Sequence, residues 1–174
     1  MNEADVEMEA VEEELGWVWP GGEWAPSNHS SSKERTMIVV PFRDREPHLR
    51  IFLRRMHPFL GRQGLPYRVL VVEQSDEGLF YRAKLMNVGA ALSLQLGHSF
   101  GCLVFHDVDL LPENEAIPYS CHKERPSHLA VAMSKFKYAL PYQLFYGGVV
   151  SQRRAVLEKI HGFPNDFWGW GGED

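Results

Sequence analysis

Cys102-Leu103-Val104-Phe105, running on into His106-Asp107-Val108-Asp109, is the stretch on which the fold of this chain turns. Four consecutive apolar residues read as a buried strand. Two carboxylates just past its end must meet water or an opposite charge, because desolvating them unpaired costs several kcal/mol. A hard divalent cation, Mg²⁺ or Mn²⁺, with carboxylate, water and phosphate ligands suits the pair. A solvated turn in which Asp109 caps a neighbouring group is the plainer alternative. His106 reads as a supporting or surface group rather than a ligand, and the pattern lacks the third acid and glycine of a calcium loop.

Outward from this strand, the chain alternates between two periodicities. Met37 to Val40 is an apolar run stopped by Pro41, Arg68 to Val72 a second strand, Leu129 to Met133 a fourth and Val149 to Ser151 a fifth. Pro47 opens a helix whose face carries Leu49, Phe52, Leu53, Met56 and Leu60. Leu85, Val88, Leu92 and Leu96 predict a helix over 84–96, and a third runs from Gln152 to Ile160 before Gly162. Such alternation predicts an α/β fold, a largely parallel sheet flanked by helices. Ligands of these sheets sit at the carboxyl ends of the strands. The polar clusters Arg43-Asp44-Arg45, Glu73 to Asp76 and Asp107-Val108-Asp109 fall there.

The 174 residues, 44% hydrophobic and 24% charged, suffice for one domain with a core and exclude a disordered, collagenous or coiled-coil chain. Eight of the 23 acidic residues lie within 1–23, which hold no Lys or Arg, so 24–174 carry all 18 basic residues against 15 acidic ones. That mildly basic body suits a small anionic ligand such as a nucleotide; no basic face long enough for nucleic acid is evident. No apolar run reaches the length of a membrane span, and the N-terminus has no signal pattern, so the chain reads as soluble. Residues 1–35 read as an acidic leader and linker, and 36–174 as the body. Within the leader, Gly16-Trp17-Val18-Trp19-Pro20-Gly21-Gly22 is aromatic enough to pack on that body. Cys102 and Cys121 are either two buried thiols or one bridge. Asn28-His29-Ser30 fits a glycosylation acceptor.

Pro41-Phe42-Arg43-Asp44-Arg45 sets two guanidiniums on one loop, able to grip a diphosphate or ribose or simply to form a solvated turn. Phe80-Tyr81-Arg82 offers an aromatic face and a cation at a helix start. Phe167-Trp168-Gly169-Trp170-Gly171-Gly172-Glu173-Asp174 combines aromatics that stack on sugar faces with carboxylates that take hydroxyls. A carboxylate there can act as general base. Lys135 to Tyr138 and Tyr142 to Tyr146 form a second aromatic patch that could equally be core. Arg54-Arg55 and Arg153-Arg154 read as solvated helix faces.

Taken together, Val40 to Arg45, Phe80 to Gly89, Asp107 to Pro112, Tyr146-Gly147-Gly148 and Gly162-Phe163-Pro164-Asn165 through Asp174 resemble, in order and spacing, the β-1,4-galactosyltransferases. The resemblance implies a GT-A-like catalytic domain that is Mn²⁺-dependent and inverting. Galactose passes from UDP-galactose to the 4-hydroxyl of a terminal GlcNAc, glucose or xylose. By matching position, Pro41, Phe42, Arg43, Asp44, Arg45, Phe80, Tyr81, Arg82, Val108, Asp109 and Trp170 hold the donor, and Asp109 binds the metal. Phe136, Tyr142, Phe145, Phe167, Gly172, Glu173 and Asp174 lie on the acceptor side, with Asp174 the base and Glu173 an acceptor contact. The resemblance also implies a Cys102–Cys121 disulfide and a Golgi lumenal setting. At Phe145 the galactose-specific members carry Tyr; Phe keeps the bulk that crowds an N-acetyl group, so galactose is expected, with UDP-GalNAc the alternative. Family members continue past Asp174, so the catalytic domain is expected to be incomplete here, with little or no turnover. A catalytically inactive carbohydrate- or nucleotide-binding module is the competing reading.

Overall fold

A computed structural model of the chain describes residues 7–28, 35–96 and 100–169. Its elements are α1 (Met8–Glu14), β1 (Glu23–Trp24), β2 (Thr36–Phe42), α2 (Glu46–Arg62), β3 (Tyr67–Glu73), α3 (Arg82–Leu92), β4 (Cys102–His106), β5 (Ser127–His128), β6 (Val149–Arg153) and α4 (Arg154–Lys159). The strands form one sheet in the order β1-β3-β2-β4-β6-β5. β2 runs parallel to both β3 and β4, whereas β1, β6 and β5 pair antiparallel. The sheet is therefore mixed, parallel at its centre and antiparallel at both margins.

Every residue of β2 is buried, as a central strand covered on both faces requires. Alternate residues serve opposite cores. Ile38, Val40 and Phe42 join Val104 and the α2 residues Phe52, Met56, Phe59 and Leu60. Met37 and Val39 join Leu103, Phe105 and the α3 residues Leu85, Met86 and Ala90. Gly89 lets α3 lie directly on the sheet, since a methyl group there would overlap the Val39 side chain.

Pro41 does not end the first strand as the sequence predicts; β2 continues to Phe42. Its ladder with β4 closes at Val39↔Phe105, so proline's missing N–H falls beyond that pairing. The expected strand over Leu129 to Met133 is replaced by the two-residue β5 just before it. Leu129 still donates to the Val149 carbonyl, after which residues 129–133 turn to line a cavity. Gln152 and Arg153 belong to β6, not to the following helix, because they pair with Leu103 and Cys102. The helix expected over 84–96 is the shorter α3, and its buried face is Ala83, Leu85, Met86, Gly89 and Ala90. Val88 and Leu92 are exposed, a shift of face that the close approach at Gly89 explains.

The N-terminal segment is packed against the sheet and α2. Trp17 meets Trp24 and His57 edge to face, and β1 pairs with β3. Buried Glu23 bonds both Arg35 and Arg68. Arg54 is bound by Glu14, not merely solvated. Arg154 also departs from a solvated helix face, donating to the carbonyls of Phe100 and Ala90 and to Ser93. Cys102 and Cys121 form the disulfide, with Cα atoms 5.4 Å apart.

Candidate functional site

Because β2 and β4 are parallel neighbours, the loops leaving their carboxyl ends open on one edge of the sheet. Pro41 near the end of β2, Arg43 and Arg45 from the loop after it, Asp107, Val108 and Asp109 from the loop after β4, and Phe80 with Arg82, the first residue of α3, line one cavity of about 170 Å³. Residues from Pro41 to Asp109, far apart in sequence, thus line one cavity. Phe42 and Tyr81 do not line it: Phe42 is a core residue, and Tyr81 is buried against the Trp168 ring, 3.9 Å between centroids. Asp44 is exposed, at φ 50°, with its carboxylate 3.8 Å from Arg43 Nε.

Arg43 is held by the loop after β3. Its guanidinium donates to the carbonyls of Asp76 and Gly78, at 3.3 and 2.5 Å, and lies over the Phe80 ring. Gln74 shapes that loop, donating to Leu79 and Asp76 and accepting from the Tyr81 amide. Arg82, only 4% exposed, donates to Asp107 Oδ1 at 2.7 Å. The first carboxylate of the acidic pair is therefore paired with a guanidinium. Asp109 is exposed and lines both this cavity and a second of about 680 Å³.

The second cavity lies across the acidic loop, walled by Leu110 to Asn114, Ile117, Tyr119 and residues 129–135. Fully buried His106 forms part of its floor. Its Nδ1 donates to the Asp107 carbonyl and its Nε2 accepts from the Tyr119 hydroxyl, each at 2.8 Å. Burial pushes the His106 imidazole down to about 4, and His57 likewise. Both are therefore neutral in the folded protein at pH 7, while the unfolded chain takes up protons near pH 6.5. Stability is expected to be lost as pH falls from 6.5 towards 4, by about 1.4 kcal/mol per pH unit for each histidine. Urea titrations at pH 7, 6 and 5 measure this; a midpoint constant over that range contradicts it.

Of the aromatics expected on the acceptor side, Phe145 is half-buried between Phe136, Tyr142 and His128, with centroid separations of 6.2, 5.4 and 5.6 Å. Tyr142 and Phe167 are exposed, so this patch is surface rather than core. Trp170, Gly172, Glu173 and Asp174 lie outside the described residues. The segment leading to them is placed beside the first cavity: the Gly169 amide donates to the Phe80 carbonyl at 2.9 Å. Behind it, Asn87 exchanges two hydrogen bonds with the Phe163 backbone, at 2.9 Å each, and a third with Asn165. Asn28, the glycosylation candidate, is exposed.

Sequence reasoning missed Tyr119 and Gln63. Gln63, just past α2, donates to the Ile117 carbonyl and accepts from the Tyr119 amide. Neither belongs to a motif, and both act over separations of 54 residues or more from α2 that no local pattern signals.

Among the described residues, no three His, Cys, Asp or Glu side chains converge on a metal site. Asp109, a hard oxygen donor at the junction of two cavities, fits a divalent ion whose remaining ligands come from elsewhere, such as diphosphate oxygens and water. No helix among the described residues is long and apolar enough to cross a membrane.

The mixed sheet, with a guanidinium- and carboxylate-lined cavity beyond its parallel strands, defines a GT-A-like glycosyltransferase domain. Residues 1–122 match the N-terminal region of glycosyl transferase group 7, and residues 127–174 match the N-terminal domain of galactosyltransferase. The chain belongs to the glycosyl transferase group 7 family. It is 49% identical over 157 residues to beta-1,4-galactosyltransferase 3 of Homo sapiens, covering 90% of this chain and 39% of that protein. Against beta-1,4-galactosyltransferase 1 of Bos taurus it is 42% identical over 169 residues, 97% and 41% of the two chains. A mutant Drosophila beta-1,4-galactosyltransferase 7, crystallised with manganese, UDP-Gal and xylobiose, superposes with a TM-score of 0.72 at 36% identity, covering 81% of this chain and 58% of its own. The chain spans about two fifths of the length of the curated relatives it matches.

Proposed function

We propose that this chain forms the donor-binding part of an inverting β-1,4-galactosyltransferase that moves galactose from UDP-galactose to the 4-hydroxyl of a terminal GlcNAc, glucose or xylose. The observation that carries the reading is the convergence of Pro41, Arg43, Arg45, Phe80, Arg82 and Asp109 on one cavity at the carboxyl ends of parallel strands. A cavity of about 170 Å³ is below the span usual for whole ligands, which suits the diphosphate end of the donor. There Arg43 and Arg45 place positive charge, and Phe80 supplies an apolar wall. A Mn²⁺ ion held by Asp109 together with the diphosphate would neutralise charge as UDP leaves.

On the acceptor side, Phe136, Tyr142, Phe145 and Phe167 offer faces for a sugar ring. Asp174 is assigned as the base that takes the proton from the attacking hydroxyl, with Glu173 holding the acceptor. The hydroxyl oxygen bonds to the anomeric carbon while the bond to UDP breaks on the opposite face. The disulfide and the exposed Asn28 support a lumenal setting in the Golgi.

Calorimetric titration with UDP-galactose tests the reading. Mn²⁺-dependent heat that Asp109→Ala reduces at least tenfold is expected, since a single carboxylate ligand is being removed. A folded chain that binds UDP-galactose equally well with and without Mn²⁺, or not at all, overturns the assignment.

A further inference from the structure

The acidic loop is tied at more points than a solvated turn needs. The Asp107 amide donates to the Gly148 carbonyl at 3.0 Å, and its carboxylate is held by Arg82. Its carbonyl accepts the Leu110 amide at 3.3 Å, closing a four-residue turn in which Asp109 is the third residue. The same carbonyl accepts His106 Nδ1. A carbonyl can only accept, so Nδ1 carries the proton and Nε2 of the neutral ring is the acceptor for Tyr119. Tyr119 is itself anchored: its amide by Gln63, its ring edge to face with Phe59, and its segment by the disulfide at Cys121.

We propose that Tyr119 and His106 are positioning residues for the donor site, acting through the Asp107 carbonyl to fix the turn that aims Asp109 between the two cavities. This rests on the donor-site reading above. The disulfide-tethered segment 117–121, which does not line the donor cavity, is on this account part of its framework. Side-chain oxygens that must meet an ion and a diphosphate together need placement within about half an ångström, and a turn closed by one 3.3 Å amide bond does not supply that alone.

Tyr119→Phe removes one hydroxyl and keeps the ring, so it tests the relay with the least disturbance to packing. In the 174-residue chain, hydrogen exchange at the Leu110 amide is expected to quicken about tenfold relative to the wild type, with no ligand present. The Mn²⁺ concentration giving half-maximal UDP-galactose binding is expected to rise about tenfold, while affinity for UDP measured without metal is unchanged. His106→Leu, which removes both bonds, is expected to exceed these effects; His106→Asn, whose amide can still reach the Asp107 carbonyl, is expected to recover part of them. A near-ultraviolet circular dichroism spectrum like that of the wild type verifies the fold of each variant. Unaltered Leu110 exchange in Tyr119→Phe overturns the positioning role whatever the ligand does. Absence of donor binding by the wild type overturns the donor-site reading instead, and leaves the exchange result to decide the turn.

Discussion

Replacing Glu23 with alanine is expected to lower the stability of this domain by about 3–5 kcal/mol, the usual result of deleting one partner from a buried charge cluster. Glu23 retains only 4% of its accessible surface and faces two guanidiniums, Arg35 and Arg68, from the segment before β2 and from β3. Deleting the carboxylate leaves two cations facing each other in a site with little water. Against a total stability of about 5–15 kcal/mol for a domain, the loss is enough to unfold part of the population at 37 °C. Urea denaturation followed by tryptophan fluorescence measures it. Glu23→Gln keeps the shape but not the charge and is expected to lose most of the same amount. Glu115→Ala, by contrast, removes the partner of Arg62 from a pair in which both side chains are more than half exposed, and is expected to leave the midpoint where it was. Equal midpoints for the Glu23 and Glu115 variants would refute a stabilising role for the buried Glu23 cluster.

Arg82→Ala is expected to weaken UDP binding about 100-fold, within the range measured when one member of a buried, hydrogen-bonded charge pair is truncated. The substitution acts twice. It removes a cation from the wall of the proposed donor cavity, and it takes the guanidinium away from the Asp107 carboxylate where the diphosphate is proposed to lie. Arg82→Lys is expected to rescue little, because a point charge on a flexible stem does not reproduce the directed Nε–H bond to Asp107. Removing both partners separates the two effects: Arg82→Ala with Asp107→Ala should bind better than Arg82→Ala alone if the stranded carboxylate is the larger penalty. Isothermal titration with UDP reads all three. A loss under threefold in Arg82→Ala would place the nucleotide elsewhere.

How far such effects could be foreseen from the sequence depends on the range of the interaction. β2 and β4 announce themselves as apolar runs, and the loops after them as charged clusters, so the edge of the sheet that carries the site was legible. Residue 41 was not: proline's effect on a strand depends on which neighbour the missing N–H would face, and that is fixed by the register between β2 and β4. Residues 129–133 have the composition of a strand but form a cavity wall, because the ladder with β6 ends where Gly148 takes a φ of +86°. The acidic pair was visible, but not its division of labour. Only the fold brings Arg82, 25 residues earlier in the chain, onto Asp107. Tyr119 and Gln63 carry no motif at all, and their parts come from tertiary hydrogen bonds alone.

Asn87 and Gly162 illustrate a constraint of a different kind. The asparagine amide grips the Phe163 backbone from both sides, and a side chain at position 162, where φ is +81°, would come within 2.7 Å of that amide oxygen. The two positions, 75 residues apart, are therefore sterically coupled. Shrinking residue 87 would clear the contact but not the backbone strain, so the segment that Asn87 holds at Phe163 and Asn165 stays tied to a glycine at 162.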